Sequence, residues 1–144
     1  MTPEGLAQTH SAAFGGNGGW QVEDFAANLS DVFPHVYVFG TDQCFAVVRV
    51  LIDEAEILTL ATHPDAQGKS RATVMLQDAL NALVEMGVQD VFLEVADDNA
   101  PARALYARCG FAEFSRRHNY YKNGATAICM KTALSAACRT DKTT

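Results

Sequence analysis

The chain has 144 residues, enough for one domain with its own core, and its 49% hydrophobic and 19% charged content is that of a globular protein. A formal charge of -6 argues against a general nucleic-acid binder, which presents a basic face. No apolar run approaches the roughly 20 residues that cross a bilayer, and the opening M-T-P-E-G-L-A-Q lacks the basic and apolar regions of a secretion signal, so a cytoplasmic protein without membrane contact is expected.

Thr2-Pro3-Glu4 predicts a helix start, with a capping hydroxyl, proline at the first helical position and then an acid; the helix runs to about Phe14. Residues 15–19, G-G-N-G-G, form a loop, because four glycines in five positions make ordered backbone costly. Trp20 follows, and residues 22–29 read as a second short helix. Residues 36–39 are a strand candidate with a turn at Gly40-Thr41-Asp42. Residues 44–52 are a β-branched strand, Asp53-Glu54 marks the next turn, and residues 56–62 form another strand.

Between 71 and 86, apolar residues fall at Ala72, Met75, Leu76, Ala79, Leu80 and Leu83, which is one face of a helix. Gly87 closes it as a left-handed C-terminal cap. Residues 91–95 are a nearly continuous apolar strand, the pattern of a strand covered on both faces. Residues 100–108 form a short helix closed by Gly110. Residues 111–121 and 125–134 are two strands joined by Lys122-Asn123-Gly124, a hairpin-turn sequence. The tail from Ser135 is small and polar and frays. These elements make one α/β domain over residues 1–134 with a mixed sheet, and the helical crossover 71–86 favours a parallel pairing of the strands it joins.

Three features carry candidate chemistry. The turn 63–70 lies between a strand and a helix, where unpaired helix-start amides can hold an anion; an ordinary strand-to-helix turn has the same outline. Gly68-Lys69-Ser70 matches the end of a Walker A loop, but the leading glycine would have to stand at His63, so the motif is broken. Glu94 is a carboxylate in an apolar strand, sharing a face with Phe92 and Ala96. Partial loss of water makes a carboxylate a stronger base; the alternative is a partner Lys or Arg. Tyr106 sits on the short helix, where a phenol is either a proton donor or core packing, and Asn99 is most simply that helix's cap. The cysteines Cys44, Cys109, Cys129 and Cys138 form no C-x-x-C pair and have no histidine at metal-ligand spacing. They are expected to be reduced thiols, with no metal.

Taken together, Asp53-Glu54-Ala55, His63-Pro64, Leu93-Glu94-Val95, Asn99, Ala104-Leu105-Tyr106, Gly110-Phe111 and the run Arg116-Arg117-His118-Asn119-Tyr120-Tyr121 are specific. Over nearly its full length the chain resembles the GCN5-related N-acetyltransferase (GNAT) superfamily, and from Glu54 onward its ribosomal-protein-alanine N-acetyltransferase (RimI-type) group. The resemblance implies a mixed, mostly antiparallel central sheet with a splayed parallel strand pair and flanking helices. It implies acetyl transfer from acetyl-CoA to an amine without a metal. Backbone groups at Leu60, Ala61 and Thr62 would bind the acetyl-pantetheine arm. Gln67, Gly68, Lys69, Ser70, Arg71 and Ala72 align with the Q/R-x-x-G-x-G/A pyrophosphate motif, and Asn99 with a coenzyme contact. Glu94 falls at the general base and Tyr106 at the general acid. Asn119, Tyr120 and Tyr121 fall near the acceptor peptide, and Trp20 is expected either to wall the acceptor channel with them or to pack in the core.

Two departures stand out. Ser70 replaces the first motif glycine, with Gly68 two positions early. The family's strand before the first helix is missing. The acceptor implied is the N-terminal alanine of a ribosomal protein. A small-molecule amine, or a non-catalytic acetyl-CoA-binding module if Ser70 spoils the cradle, are the alternatives. A covalent route through Cys109 lacks a histidine to activate the thiol.

Overall fold

The computed structural model describes residues 1–14, 20–29, 35–68, 70–121 and 124–134. The glycine-rich stretch 15–19, Lys69, residues 122–123 of the expected hairpin turn, and the tail 135–144 with Cys138 lie outside the described residues.

The first helix, α1 (Pro3–Phe14), begins as its sequence directs: Thr2 Oγ1 accepts the Gly5 amide at 3.0 Å. In α2 (Val22–Leu29), the Asp24 carboxylate accepts the Gln21 amide at 2.8 Å. Then follow β1 (Val36–Thr41), β2 (Cys44–Leu51), β3 (Glu54–Thr62), α3 (Arg71–Glu85), β4 (Asp90–Ala96), α4 (Ala100–Arg108), β5 (Ala112–Arg117) and β6 (Ala127–Ala133). The six strands form one sheet in the order β1-β2-β3-β4-β6-β5. Every pairing is antiparallel except β3 with β4, which is parallel through the α3 crossover. Among the described residues no strand precedes α1.

Helices cover the two faces unequally. The buried face of α3, with Met75, Leu76, Ala79, Leu80 and Leu83, packs with α4 on one side of the sheet in the larger core. Each fully buried leucine there contributes about 1.5–3 kcal/mol by leaving water. On the other side, Leu6 of α1 and Phe25 of α2 pack on Phe45, Val47 and Ala61. Those helices lie over the β1–β3 half, so on that face β4 stays half-buried. Its burial alternates, with Val91, Leu93 and Val95 inward and Phe92, Glu94 and Ala96 half-exposed. The expectation that both faces of this strand are covered is therefore corrected, because α1 and α2 do not reach it.

Strand limits also differ from the sequence pattern. Gly40 belongs to β1 and the turn is Asp42-Gln43; at φ 105 any Cβ would strike the Cys44 carbonyl. Ile52 and Asp53 make the β2–β3 turn, with Ile52 at φ 60 and fully outside the core, so β3 starts at Glu54. At the far edge β5 stops at Arg117, leaving Tyr120 and Tyr121 on a turn where the Tyr121 amide donates to the Ala125 carbonyl at 3.2 Å.

Two bulges matter most. Val47 pairs with Thr59 but Val48 with Ile57, so Leu58 is an extra residue in β3. It switches the strand's parity: Ala55 and Ile57 face the larger core, as Leu60 does, while Leu58 and Ala61 face the smaller. Likewise Glu113 pairs with Met130 and Ser115 with Cys129, making Phe114 an extra residue in β5.

Candidate active site

The parallel ladder between β3 and β4 is short. Glu54, Ala55 and Glu56 pair with Asp90, Val91 and Phe92, and the pairing ends there, although β3 continues to Thr62 and β4 to Ala96. The bulge at Leu58 bends β3 just past the last pair, and the strands part. The gap is a slot through the sheet, so side chains from both faces enter it. A cleft of about 720 Å³ fills this gap, lined by Ala13 and Phe14 of α1 on one side and by Ala102, Leu105 and Tyr106 of α4 on the other. Residues 57–62 of β3 and Glu94 and Val95 of β4 form its walls. Backbone groups that a continued ladder would have paired need other partners, such as a ligand.

At one end of the cleft lies the start of α3. Gln67, Gly68, Ser70, Arg71, Ala72 and Thr73 line it. Ser70 is the residue before the helix, in left-handed conformation at φ 58, ψ 17, and its side chain makes no capping bond. The first intrahelical bond runs from the Val74 amide to the Ser70 carbonyl at 3.1 Å. The amides ahead of Val74 are therefore free of helix partners and stand where an anion can take them. Gly68, at φ 78, has nothing within 4 Å of a Cβ position, so the turn leaves room above the helix. Gln67 has a different engagement from a phosphate contact: its Nε2 donates to the Thr62 carbonyl at 3.1 Å and ties the turn to the end of β3.

Glu94 enters from the α1 face and Tyr106 from the α4 face. Glu94 is half-buried and ion-paired: Arg117 Nη1 stands 3.4 Å from its Oε1. Tyr106 is buried, with its ring at 5.8 Å from Phe111 in edge-on contact. Burial pushes its phenol pKa well above the ordinary value, with smaller contributions from Tyr121 and Cys109, so the hydroxyl stays protonated at neutral pH. Asn99 does cap α4, its Oδ1 accepting the Ala102 amide at 3.2 Å, and it also lines the cleft. Among the described residues no three His, Cys, Asp or Glu side chains cluster as a metal site requires.

The acceptor-side candidates are scattered. Tyr120 and Tyr121 meet edge-on at 5.3 Å, with the Arg117 guanidinium 5.5 Å above the Tyr120 ring. Burial and then the charge of Glu94 raise the Tyr121 pKa. Asn119 is an exposed turn residue at φ 54. Trp20, a candidate channel wall, instead packs in the smaller core against Phe25 (5.2 Å) and His10 (6.1 Å) and does not line the cleft. Cys109 is buried and does not line the cleft either.

Sequence reasoning gave no role at the site to four contributors. Arg117 reaches Glu94 only because of the Phe114 bulge. Phe14 and Ala13 reach the cleft only through tertiary packing. Thr59, bonded to the buried His10 at 3.0 Å, helps fix α1 against β3 at the cleft wall. No local pattern signals any of them.

Comparisons with known proteins agree with this geometry. Residues 8–111 match the model of the acetyltransferase (GNAT) family. The chain is 34% identical over 104 residues to the [Ribosomal protein bS18]-alanine N-acetyltransferase of Escherichia coli (strain K12), covering 71% of this chain and 70% of that protein. The crystal structure of the ribosomal-protein-S18-alanine N-acetyltransferase from Escherichia coli superposes with a TM-score of 0.80 at 29% identity, over 92% of this chain and 88% of that one. The NatC complex bound to Gag peptide and CoA shares the fold, with a TM-score of 0.76 at 18% identity over 93% and 91% of the two chains. The chain belongs to the GNAT acetyltransferase family.

Proposed function

We propose that this acetyltransferase moves the acetyl group of acetyl-CoA to the N-terminal α-amine of a protein, with the alanine of a ribosomal protein as the preferred acceptor. One observation carries the chemistry: a half-buried carboxylate and a buried, protonated phenol enter a single slot from opposite faces of the sheet. The similarity to the bS18-alanine enzyme supports the acceptor. An α-amine also suits a carboxylate base, since its pKa is near 8 against about 10.4 for lysine.

When bound, acetyl-CoA supplies the thioester. The α3 amides, with Ser70, Arg71, Ala72 and Gly68 around them, would hold its pyrophosphate; Gln67 shapes the turn through its bond to Thr62. Lys69 lies outside the described residues. Backbone groups at Leu60, Ala61 and Thr62, beyond the end of the parallel ladder, would hold the pantetheine arm and polarise the carbonyl. Asn99 fixes the start of the helix that carries Tyr106. Glu94 takes a proton from the incoming ammonium, through water, leaving a neutral amine to form the new C–N bond. As the C–S bond breaks, Tyr106 donates its proton to the departing sulfur, the proton that the nitrogen sheds on becoming an amide replaces it, and Glu94 returns its own proton to solvent. Tyr120 and Tyr121 would flank the acceptor chain.

Two peptides of one sequence test the acceptor, one with a free N-terminal alanine and one N-blocked with an internal lysine. Mass spectrometry should find acetylation of the free one only. Comparable acetylation of the blocked peptide overturns the α-amine claim. Turnover of a small amine with neither peptide modified transfers it to small-molecule acetylation.

A further inference from the structure

We infer that Arg117 is a positioning residue for Glu94, holding the carboxylate in one orientation and tying it to the tyrosines of the acceptor side; the inference rests on Glu94 acting as the base. The bulge at Phe114 sets it up. Past that extra residue, Arg117 pairs with Ala127, and Ala127 pairs in turn with Ala96 of β4. Ala96 shares its face with Glu94 two residues earlier. Without the bulge the alternation of β5 would carry Arg117 to the α4 face, out of reach of Glu94.

The contacts are directional. Arg117 Nη1 lies 3.4 Å from Glu94 Oε1, which leaves Oε2 for the acceptor proton or its water. The same guanidinium lies over Tyr120, and Tyr120 meets Tyr121. Burial first, and then the Glu94 charge, raise the Tyr121 pKa. Carboxylate, guanidinium and two phenols thus form one connected group between the centre of β4 and the turn after β5. A glutamate that is only half-buried has several rotamers open to it, and a fixed cation selects one. Arginine suits this double duty because its plane can pair at an edge and stack on a ring together. The Arg117 side chain is 58% exposed, so the pair adds little to fold stability. Its consequence is geometry at the base.

The test uses acetyl-CoA and a hexapeptide beginning with alanine, and compares Arg117→Ala, Arg117→Lys, Glu94→Gln and the double variant Glu94→Gln/Arg117→Ala. Arg117→Ala should lower kcat about tenfold, the order expected when a reacting group loses its alignment. The KM for acetyl-CoA and the thermal midpoint should stay at their wild-type values. Arg117→Lys should recover only part of the loss, because a single ammonium cannot pair and stack together. In the Glu94→Gln background, removing Arg117 should cost nothing more. Undiminished kcat in Arg117→Ala beside a slow Glu94→Gln overturns the inference and leaves the base assignment standing. An equal fold-loss from Arg117→Ala in both backgrounds also overturns it, since Arg117 would then act independently of Glu94. If Glu94→Gln itself is as fast as wild type, the base assignment and this inference fall together, while wild-type turnover keeps acetyl transfer.

Discussion

The two ends of the cleft are built from different material. The proposed coenzyme end, at the start of α3 and along the splayed part of β3, is made of backbone amides, and its side chains mainly shape the turn, as Gln67 does by bonding to Thr62. The proposed chemical end is made of side chains: Glu94, Tyr106, Arg117 and the two tyrosines. A backbone site tolerates a change of residue provided the new residue can adopt the conformation. Ser70 shows this: it stands in place of a motif glycine and still adopts the left-handed conformation there. A side-chain site has no such tolerance, because each group has its own task.

Single substitutions should therefore divide sharply between the ends. The largest effect is expected at Glu94. Glu94→Gln should slow turnover about 10²–10⁴-fold, the range for losing a positioned base, with acetyl-CoA affinity by calorimetry unchanged. The deficit should shrink as pH rises past about 8, where more of the acceptor amine is already neutral. An unchanged rate at pH 7 would make Glu94 structural and erase the contrast. Tyr106→Phe comes next, slowing transfer by about 10²-fold with little change in thermal midpoint. The loss should fade with acyl donors whose thiolates leave more easily. Equal slowing with every donor would mean that the phenol only positions.

At the backbone end the effects are small and one reverses sign. Ser70→Gly relieves a left-handed non-glycine residue and should stabilise the fold by about 1 kcal/mol. Acetyl-CoA affinity should hold or tighten, whereas Ser70→Ala, which loses no capping bond, should match wild type. A marked loss of affinity in Ser70→Ala would show that the hydroxyl itself binds coenzyme. The smallest effect is on alkaline stability. Tyr106 has a raised pKa in the fold and titrates near 10 when unfolded. Its neutral form is thus favoured by folding, and that contribution is present below about pH 10 and declines as pH rises above it. Thermal midpoints between pH 8 and 11 should fall less steeply for Tyr106→Phe than for wild type.

Much of this protein is legible in its residues one by one. The α3 face, the Thr2 and Asn99 caps and the left-handed Gly87 and Gly110 are local, since a helix period, a capping oxygen and a positive φ each depend on a few neighbours. So is the candidate status of Glu94 and Tyr106, which rests on a carboxylate in an apolar strand and on a resemblance spread along the chain.

What the sequence could not decide is how these groups meet. The bulges at Leu58 and Phe114 leave no signal, because an extra residue in a strand shows only against its partner's register. With them go the slot through the sheet and the reach of Arg117 to Glu94. The same holds for Trp20, whose placement in the smaller core depends on how α1 and α2 sit over β1–β3. Composition and periodicity determined the elements, since those follow from short-range sterics and side-chain pattern, and the family resemblance supplied the roles of the candidates. Tertiary structure alone decided where two parallel strands part, because that point is set by pairing between residues far apart in the chain.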